Sequence, residues 1–278
     1  MTEEKLDKAT DWLMQADGIL ITAGAGMGVD SGLPDFRGNH GFWREYPALE
    51  HLGFSFREMA NPERFEEAPE LAWGFYGHRL QLYRDTVPHE GFQILRAWAG
   101  RMSRGAFVFT SNVDGQFQKA GFAENRVHEV HGTIHQLQCI SACQQLTWPA
   151  DGFNPVVNRE TSRLDNAPPR CPHCGRLARP NILMFWDATW VEQRADLQEA
   201  RLRAWLASVP RPVVVELGAG KALPTVRRFS ERHARHRLIR INLREWVTAQ
   251  QDGLGFEGGA LSTLQALDAA LKEAGWSD

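Results

Sequence analysis

The run Gly18-Ile-Leu-Ile-Thr22 leads within two residues into Gly24-Ala-Gly-Met-Gly28, and this junction limits the possible folds more than any other feature of the chain. An apolar run too short for a helix, ending at small residues, predicts a buried strand feeding a tight loop. Strands buried on both faces belong to parallel sheets, whose crossovers are usually helices. The pattern recurs at Ala106–Thr110, Val127–Val130, Val213–Leu217 and Leu238–Ile241. Helical spacing fills the intervals: Leu6, Trp12 and Leu13 near the start, then Phe75, Leu80, Leu82, Phe92, Leu95 and Trp98, with a further helix beginning near Thr225. This alternation predicts an α/β fold, a mostly parallel sheet with helices on both faces.

A chain of 278 residues has room for one such domain and a small inserted module. With 31 basic and 34 acidic side chains the formal net charge is −3, which gives nucleic acid or an anionic membrane no electrostatic claim as partner. No stretch of about 18 apolar residues is present to span a bilayer. The charged start, Met1-Thr-Glu-Glu-Lys5, lacks the apolar segment of a secretory signal, so a cytoplasmic setting is expected.

The regular pattern lapses between about 136 and 180, and all four cysteines fall there. Cys139 and Cys143 have three residues between them; Cys171 and Cys174 have two, in Cys171-Pro-His-Cys174. Two close pairs joined by an irregular stretch suit the four thiolates of a closed, structural zinc site. Four free core thiols or an iron–sulfur cluster are the rival readings. His173, between two of the cysteines, reads as an exposed knuckle residue.

Small residues at Gly24, Ala25 and Gly26 let backbone amides approach a pyrophosphate, although a tight strand–helix turn has the same composition. The continuation is more specific: Gly24-Ala-Gly-Met-Gly-Val-Asp-Ser-Gly-Leu-Pro-Asp-Phe-Arg-Gly38 resembles the nucleotide-binding signature of the sirtuins, NAD-dependent protein deacylases. Further motifs agree in order. Thr110-Ser-Asn-Val-Asp114 is similar to the family's polar turn, and Val130-His-Gly132 to its catalytic histidine segment. Arg179-Pro-Asn-Ile182 looks like the return from the zinc module. Gly218 and Asn242 stand where the family binds adenosine. The likeness runs from about residue 10 to 270 and marks a divergent, bacterial-type member.

The resemblance implies a Rossmann-like domain (about 1–50, 88–135 and 181–278), a helical module (about 51–87) and a zinc module (about 136–180). NAD and an acylated lysine of a protein or peptide would share the cleft between them. Cofactor contacts would come from Gly24, Ala25, Gly26, Asp35, Phe36, Arg37, Ser111, Asn112, Asp114, Gly218, Ala219 and Asn242. His131 would be the general base toward the ribose hydroxyls, for which a histidine pKa of about 6.5 is suited. Asn112 and Asp114 would orient the ribose and the nicotinamide side. Ile182 and Phe185 would border the acceptor. Taken one at a time, Asp35 and Arg37 also read as turn formers, Asn112 and Asp114 as a helix cap, and His131 as a strand-end histidine. His78, His128 and His135 read as structural or exposed.

Four positions depart from the family pattern. Gly28 replaces a serine, Ser111 a glutamine, and Gly218-Ala-Gly220 lacks the usual hydroxyls. Phe185-Trp-Asp187 stands for Phe-Gly-Glu, whose backbone pairs with the substrate peptide as an added strand, so Trp186 adds bulk on the peptide's path. A restricted or non-peptide acceptor follows as an alternative. Phe75-Tyr-Gly-His-Arg79 resembles the acyl pocket of sirtuins that remove succinyl and malonyl groups. Tyr76 and Arg79 share a helix face there and could hold a carboxylate together, though an ordinary amphipathic helix fits the spacing too. The expected activity is NAD-dependent lysine deacylation, releasing nicotinamide and acyl-ADP-ribose. ADP-ribosyl transfer or NAD hydrolysis is the alternative, and a non-catalytic NAD or ADP-ribose sensor a third.

Overall fold

The computed structural model describes residues 2–35, 38–234, 236–249 and 253–276. Its strands are β1 (Gly18–Ala23), β2 (Ala106–Thr110), β3 (Val127–Glu129), β4 (Gly132–Cys139), β5 (Thr147–Pro149), β6 (Val157–Asn158), β7 (Arg163–Leu164), β8 (Ala178–Ile182), β9 (Pro212–Leu217), β10 (Leu238–Asn242) and β11 (Leu254–Glu257). The helices are α1 (Glu3–Met14), α2 (Gly38–Glu45), α3 (Pro47–His51), α4 (Phe56–Met59), α5 (Glu63–Glu67), α6 (Pro69–Asp85), α7 (Gly91–Arg101), α8 (Gln116–Lys119), α9 (Gln193–Ser208), α10 (Thr225–His233) and α11 (Ala260–Glu273).

Among the described residues the main sheet runs β11-β10-β9-β1-β2-β3, with every neighbouring pair parallel. Central β1 is buried along its whole length, and Ile21 sits in register between Val108 and Val215. Alternation sorts the side chains. Ile19, Ile21, Val213 and Val215 face Leu13, Trp98, Leu264 and Leu267 of α1, α7 and α11. Leu20, Phe107 and Val214 face Leu202 and Trp205 of α9 and Val226 of α10 on the other side. Each such aliphatic side chain contributes about 1.5–3 kcal/mol by leaving water. Strand order reverses direction about β1, whose neighbours are β2 and β9, and the crevice outside the carboxyl ends of strands at such a switch point is where open α/β sheets bind ligands.

Chain between β3 and α9 builds a second body. β4 lies between β5 and β8 in an antiparallel sheet, and β6–β7 is a separate hairpin. Strands of two and three residues carry too little periodicity to show in the sequence, so the expected irregular stretch contains paired backbone. A largely aromatic core joins this body to the helices after β1. It takes Phe42 from α2, Tyr46 from the junction, Leu49 from α3, Phe65 from α5, Trp73, Phe75 and Tyr76 from α6, and Ile134, Leu137, Phe153 and Leu164 from the strand region. This core draws on residues before and after position 51, from Leu33 and Phe42 onward.

α6 meets the hairpin through two glycines. A Cβ at Gly74 would collide with the Ser162 carbonyl, and one at Gly77 would come 2.7 Å from Pro155 Cβ. Arg84 then donates to the Phe153 and Ala150 carbonyls at 2.9 and 2.8 Å, and Gln81 to that of Pro155.

Candidate active site and metal centre

The four cysteines converge. Their sulfurs all lie within 4.8 Å of one another, with Cys139 Sγ 3.6 Å from Cys174 Sγ and Cys143 Sγ 3.7 Å from Cys171 Sγ. Tetrahedral zinc with Zn–S bonds of about 2.3 Å holds its sulfurs about 3.8 Å apart, so the donor set and spacing fit one such ion. Burial raises the Cys139 thiol, but hydrogen bonds from the Cys143 and Ser141 backbone outweigh it and bring it down to about 7, toward the ligating thiolate. His173 is exposed, in keeping with its reading as a knuckle residue.

The loop after β1 is built by close backbone approach. A Cβ on Gly24 would lie 2.9 Å from Ala219 Cα, and one on Gly26 would lie 2.7 Å from Gly218 Cα. Gly24 and Gly26 donate their N–H groups to the Leu217 and Gly218 carbonyls at 3.0 and 3.1 Å. The glycines thus join this loop to the one after β9, and those two amides are engaged within the fold. Ala25 opens a short 3₁₀ turn to Met27. Asp35 is half-buried at the end of the described loop; Phe36 and Arg37 lie outside the described residues.

The polar turn after β2 meets this loop directly. Asn112 Nδ2 donates to the Gly24 carbonyl at 3.0 Å, and Ser111 N–H to the Ala23 carbonyl. Asp114 is buried with Oδ1 accepting from the N–H of Gln116, the first residue of α8, and burial pushes its carboxyl up to about 6. His135, lowered by burial, bonds through Nε2 to the Asp114 carbonyl and so fixes the turn from behind.

His131 sits between β3 and β4. Burial lowers its pKa, and a hydrogen bond to the Ser111 backbone opposes that in part. Its own carbonyl accepts from Leu183 N–H at 2.9 Å. One residue therefore touches the polar turn on one side and the segment after β8 on the other. His78 bonds to the Tyr46 hydroxyl at 2.9 Å, and His128 is buried edge-on to Phe109, so both are structural.

Across the crevice, Asn242 Nδ2 donates to the Ala219 carbonyl at 3.0 Å, while its Oδ1 accepts from Arg244 and Glu245 N–H. Asn242 thereby fastens the loop after β10 to the loop after β9. Gly218 there has a left-handed φ of 61°, and Ala219 is buried.

On α6, Tyr76 is buried and stacked on Phe65 with centroids 5.5 Å apart, and burial raises its hydroxyl to about 12. Arg79 is buried as well, and donates through Nε and Nη2 to the Tyr83 hydroxyl at 3.0 and 2.8 Å. The hydroxyl that bonds Arg79 thus belongs to Tyr83, four residues on, which the sequence reading did not single out.

Ile182 is buried and Phe185 half-buried, with Arg57 stacked over the Phe185 ring at 5.1 Å. Trp186 follows with φ 56° and 73% of its surface exposed. Left-handed backbone costs a non-glycine residue about 1–2 kcal/mol. The turn is held from below by Asp187, whose carboxylate takes Arg179 Nη2 at 2.8 Å on both oxygens and also accepts from Met184 and Thr189 N–H. Neither Arg179 nor Asp187 showed this partnership in the sequence.

The geometry has the outline of a known family. The Sir2 family model matches residues 24–204, and the chain belongs to that family. An NAD-dependent protein deacylase of Aquifex aeolicus (strain VF5) is 32% identical over 174 residues, covering 63% of this chain. That match spans 64% of the relative's own length, a little under two thirds. A probable bifunctional ADP-ribose hydrolase/ADP-ribosyltransferase of Fusarium oxysporum f. sp. cubense is 28% identical, covering 86% of this chain and 42% of the relative. Among solved structures, a Sir2 homologue in complex with NAD superposes with a TM-score of 0.69 at 22% identity, over 99% of this chain and 95% of the other.

Proposed function

We propose that this chain is an NAD-dependent lysine deacylase. The position of His131 carries the reading: its ring bonds to the Ser111 backbone and its carbonyl to Leu183, so it stands between the polar turn after β2 and the segment after β8. The deacylase name of the Aquifex relative and the NAD bound to the structural neighbour support it.

NAD, when bound, supplies an activated glycosidic bond to nicotinamide. The crevice fits it through crossed glycine loops that a Cβ would fill, with the half-buried carboxamide of Asn112 and the buried carboxyl of Asp114 at the turn after β2. Gly24, Ala25, Gly26, Asp35 and Ser111 would line the phosphate and nicotinamide-ribose side, and Gly218, Ala219 and Asn242 the adenosine side. Asn112, held by the Gly24 carbonyl, would orient the ribose. Asp114, raised to about 6, takes or gives a proton near neutral pH. His131, its pKa lowered by burial, is the neutral base that accepts a ribose hydroxyl proton.

Ile182 and Phe185 would border the acyl-lysine stem, and Tyr76 and Arg79 the acyl end. Buried cationic Arg79 among phenols favours an acyl group ending in a carboxylate, as in succinyl or malonyl. Zinc on Cys139, Cys143, Cys171 and Cys174 would cross-link the small body. A cytoplasmic setting accords with four reduced thiols. No described helix is long and apolar enough to cross a membrane.

Exposed Trp186 and the name of the Fusarium relative favour ADP-ribosyl transfer as a second reading. Mass spectrometry of nicotinamide and acyl-ADP-ribose, with NAD and acetyl-, succinyl- and longer-acyl-lysine peptides, separates the two. Acyl-ADP-ribose lost in His131→Ala supports deacylation, and selective loss of desuccinylation in Arg79→Met supports the acyl pocket. Nicotinamide released without peptide, and no acyl-ADP-ribose from any substrate, would leave transfer or hydrolysis.

A further inference from the structure

Resting on the deacylase reading, we infer that the acceptor is recognised through its acylated side chain alone, without pairing between its flanking backbone and the segment after β8. An extended peptide joins a protein as an added strand only where an edge offers outward N–H and C=O groups at the spacing of a strand. The segment at the mouth of this site does not. Phe185 and Trp186 form a turn, and Trp186 at φ 56° bends the chain out of any extended edge. Two backbone donors of this segment already have partners inside the fold. Met184 N–H goes to the Asp187 carboxylate at 3.3 Å and Phe185 N–H to the Ala60 carbonyl at 2.9 Å.

This arrangement is not free to relax into a strand. Asp187 is clamped by Arg179 with neither side chain exposed, and its second bond to Thr189 N–H closes the turn. The loop after β9, which borders the same crevice, also presents no strand between 218 and 224. There, Gly218 N–H is bound to the Ile241 carbonyl and Lys221 N–H to the Glu245 carboxylate at 2.9 Å. The indole of Trp186, 73% exposed beside Phe185 with ring centroids 5.9 Å apart, adds bulk across a flanking chain's path. The chemistry that remains is side-chain recognition: an acyl group against α6, and a lysine stem against Ile182 and Phe185. The class of acceptor is therefore an acylated lysine at a chain end, on a non-extended segment, or free of a peptide altogether.

Three acceptors with the same acyl group test this: a single acyl-lysine capped at both ends, a longer peptide around it, and that peptide N-methylated at the two amides flanking the lysine. With saturating NAD, kcat/KM for nicotinamide release is expected to agree within about threefold across the three, because no backbone donor of the acceptor is used. Trp186→Gly, checked for folding by its melting temperature, is expected to raise the longer peptide against the single residue by about threefold or more. A loss of about tenfold on truncation or N-methylation, or a folded Trp186→Gly variant slower on the longer peptide, overturns the inference and leaves the deacylase reading standing. Nicotinamide released at the same rate with or without any of the three acceptors, and no acyl-ADP-ribose from any of them, overturns the deacylase reading itself.

Discussion

Arg179 and Asp187 meet in a doubly bonded ion pair, 2.8 Å from Nη2 to each carboxylate oxygen, with neither side chain exposed. The guanidinium also donates to the Ile182 carbonyl, so the pair ties the end of β8 to the turn that carries Phe185 and Trp186. Removing one partner strands the other charge in the interior. Asp187→Asn is expected to lower unfolding free energy by about 3–5 kcal/mol in urea titration. Arg179→Met with Asp187→Leu is expected to cost much less than either single change. A double mutant as unstable as the sum of the singles would mean the two do not act as a pair.

Gly26 tests the crossing of the two loops. Its absent Cβ would lie 2.7 Å from Gly218 Cα, backbone against backbone, with no side chain able to move away. Gly26→Ala is expected to destabilise the fold by about 1–3 kcal/mol and to weaken NAD binding with it. Calorimetric titration and thermal melting together check both effects; unchanged NAD affinity would detach the loop crossing from the cofactor site.

Burial against Phe109 and its neighbours depresses His128 to about 4, with His131 nearby adding slightly and Glu199 and Asp196 opposing. The unfolded chain therefore takes up this proton near pH 6.5 and the folded chain only near 4, so stability falls as pH drops through that window. Two and a half pH units correspond to about 3 kcal/mol, present above pH 6.5 and lost by pH 4. His128→Phe is expected to flatten the difference, read as denaturant midpoints of variant and parent from pH 7 to 4. Asp114, raised to about 6 by burial, works in the opposite sense and is common to both proteins, so it cancels in the comparison.

Losing the metal should unfold the small body before the large one. Chelation, or Cys174→Ser, is expected to release one zinc per chain and to lower the melting temperature of the segment from β4 to β8, read by hydrogen exchange. Equal protection with and without metal would mean that the hydrophobic contacts with α6 hold this body alone.

Proton requirements at His131 set the acid side of the rate profile. Because the base must be neutral and burial lowers its pKa, the acid limb of kcat/KM is expected below the ordinary histidine value of about 6.5. An acid limb above that value would assign it to another group.

Much of the large domain was legible because its strands are whole apolar runs ending at glycine or polar turns: Ala106–Thr110 appears with the same bounds, and Gly18–Thr22 gains only Ala23. β11 escaped notice because Leu254-Gly-Phe-Glu257 is short and interrupted by glycine, and β5 to β7 because two or three residues establish no period. The cysteine pairs gave the metal centre directly, since spacing within each pair is local. Partnerships across distance were not readable. Nothing near Arg179 announces that its carboxylate lies eight residues on, and the i,i+3 spacing of Tyr76 and Arg79 drew attention from the i,i+4 hydroxyl of Tyr83. Asn242 and the loop glycines were read for what they would offer a ligand. The fold uses them first to hold its own loops together.

The seam between α6 and the β6–β7 hairpin limits how such a site can be altered. Gly74 and Gly77 are small because Ser162 and Pro155 rest on them, and that same helix carries Tyr76 and Arg79. A new acyl preference cannot be grafted by exchanging the helix alone, since an incoming side chain at either glycine would evict the hairpin and disturb the body that the four cysteines brace. Helix and hairpin form one transplantable cassette, and sequences that vary in one are expected to vary in the other.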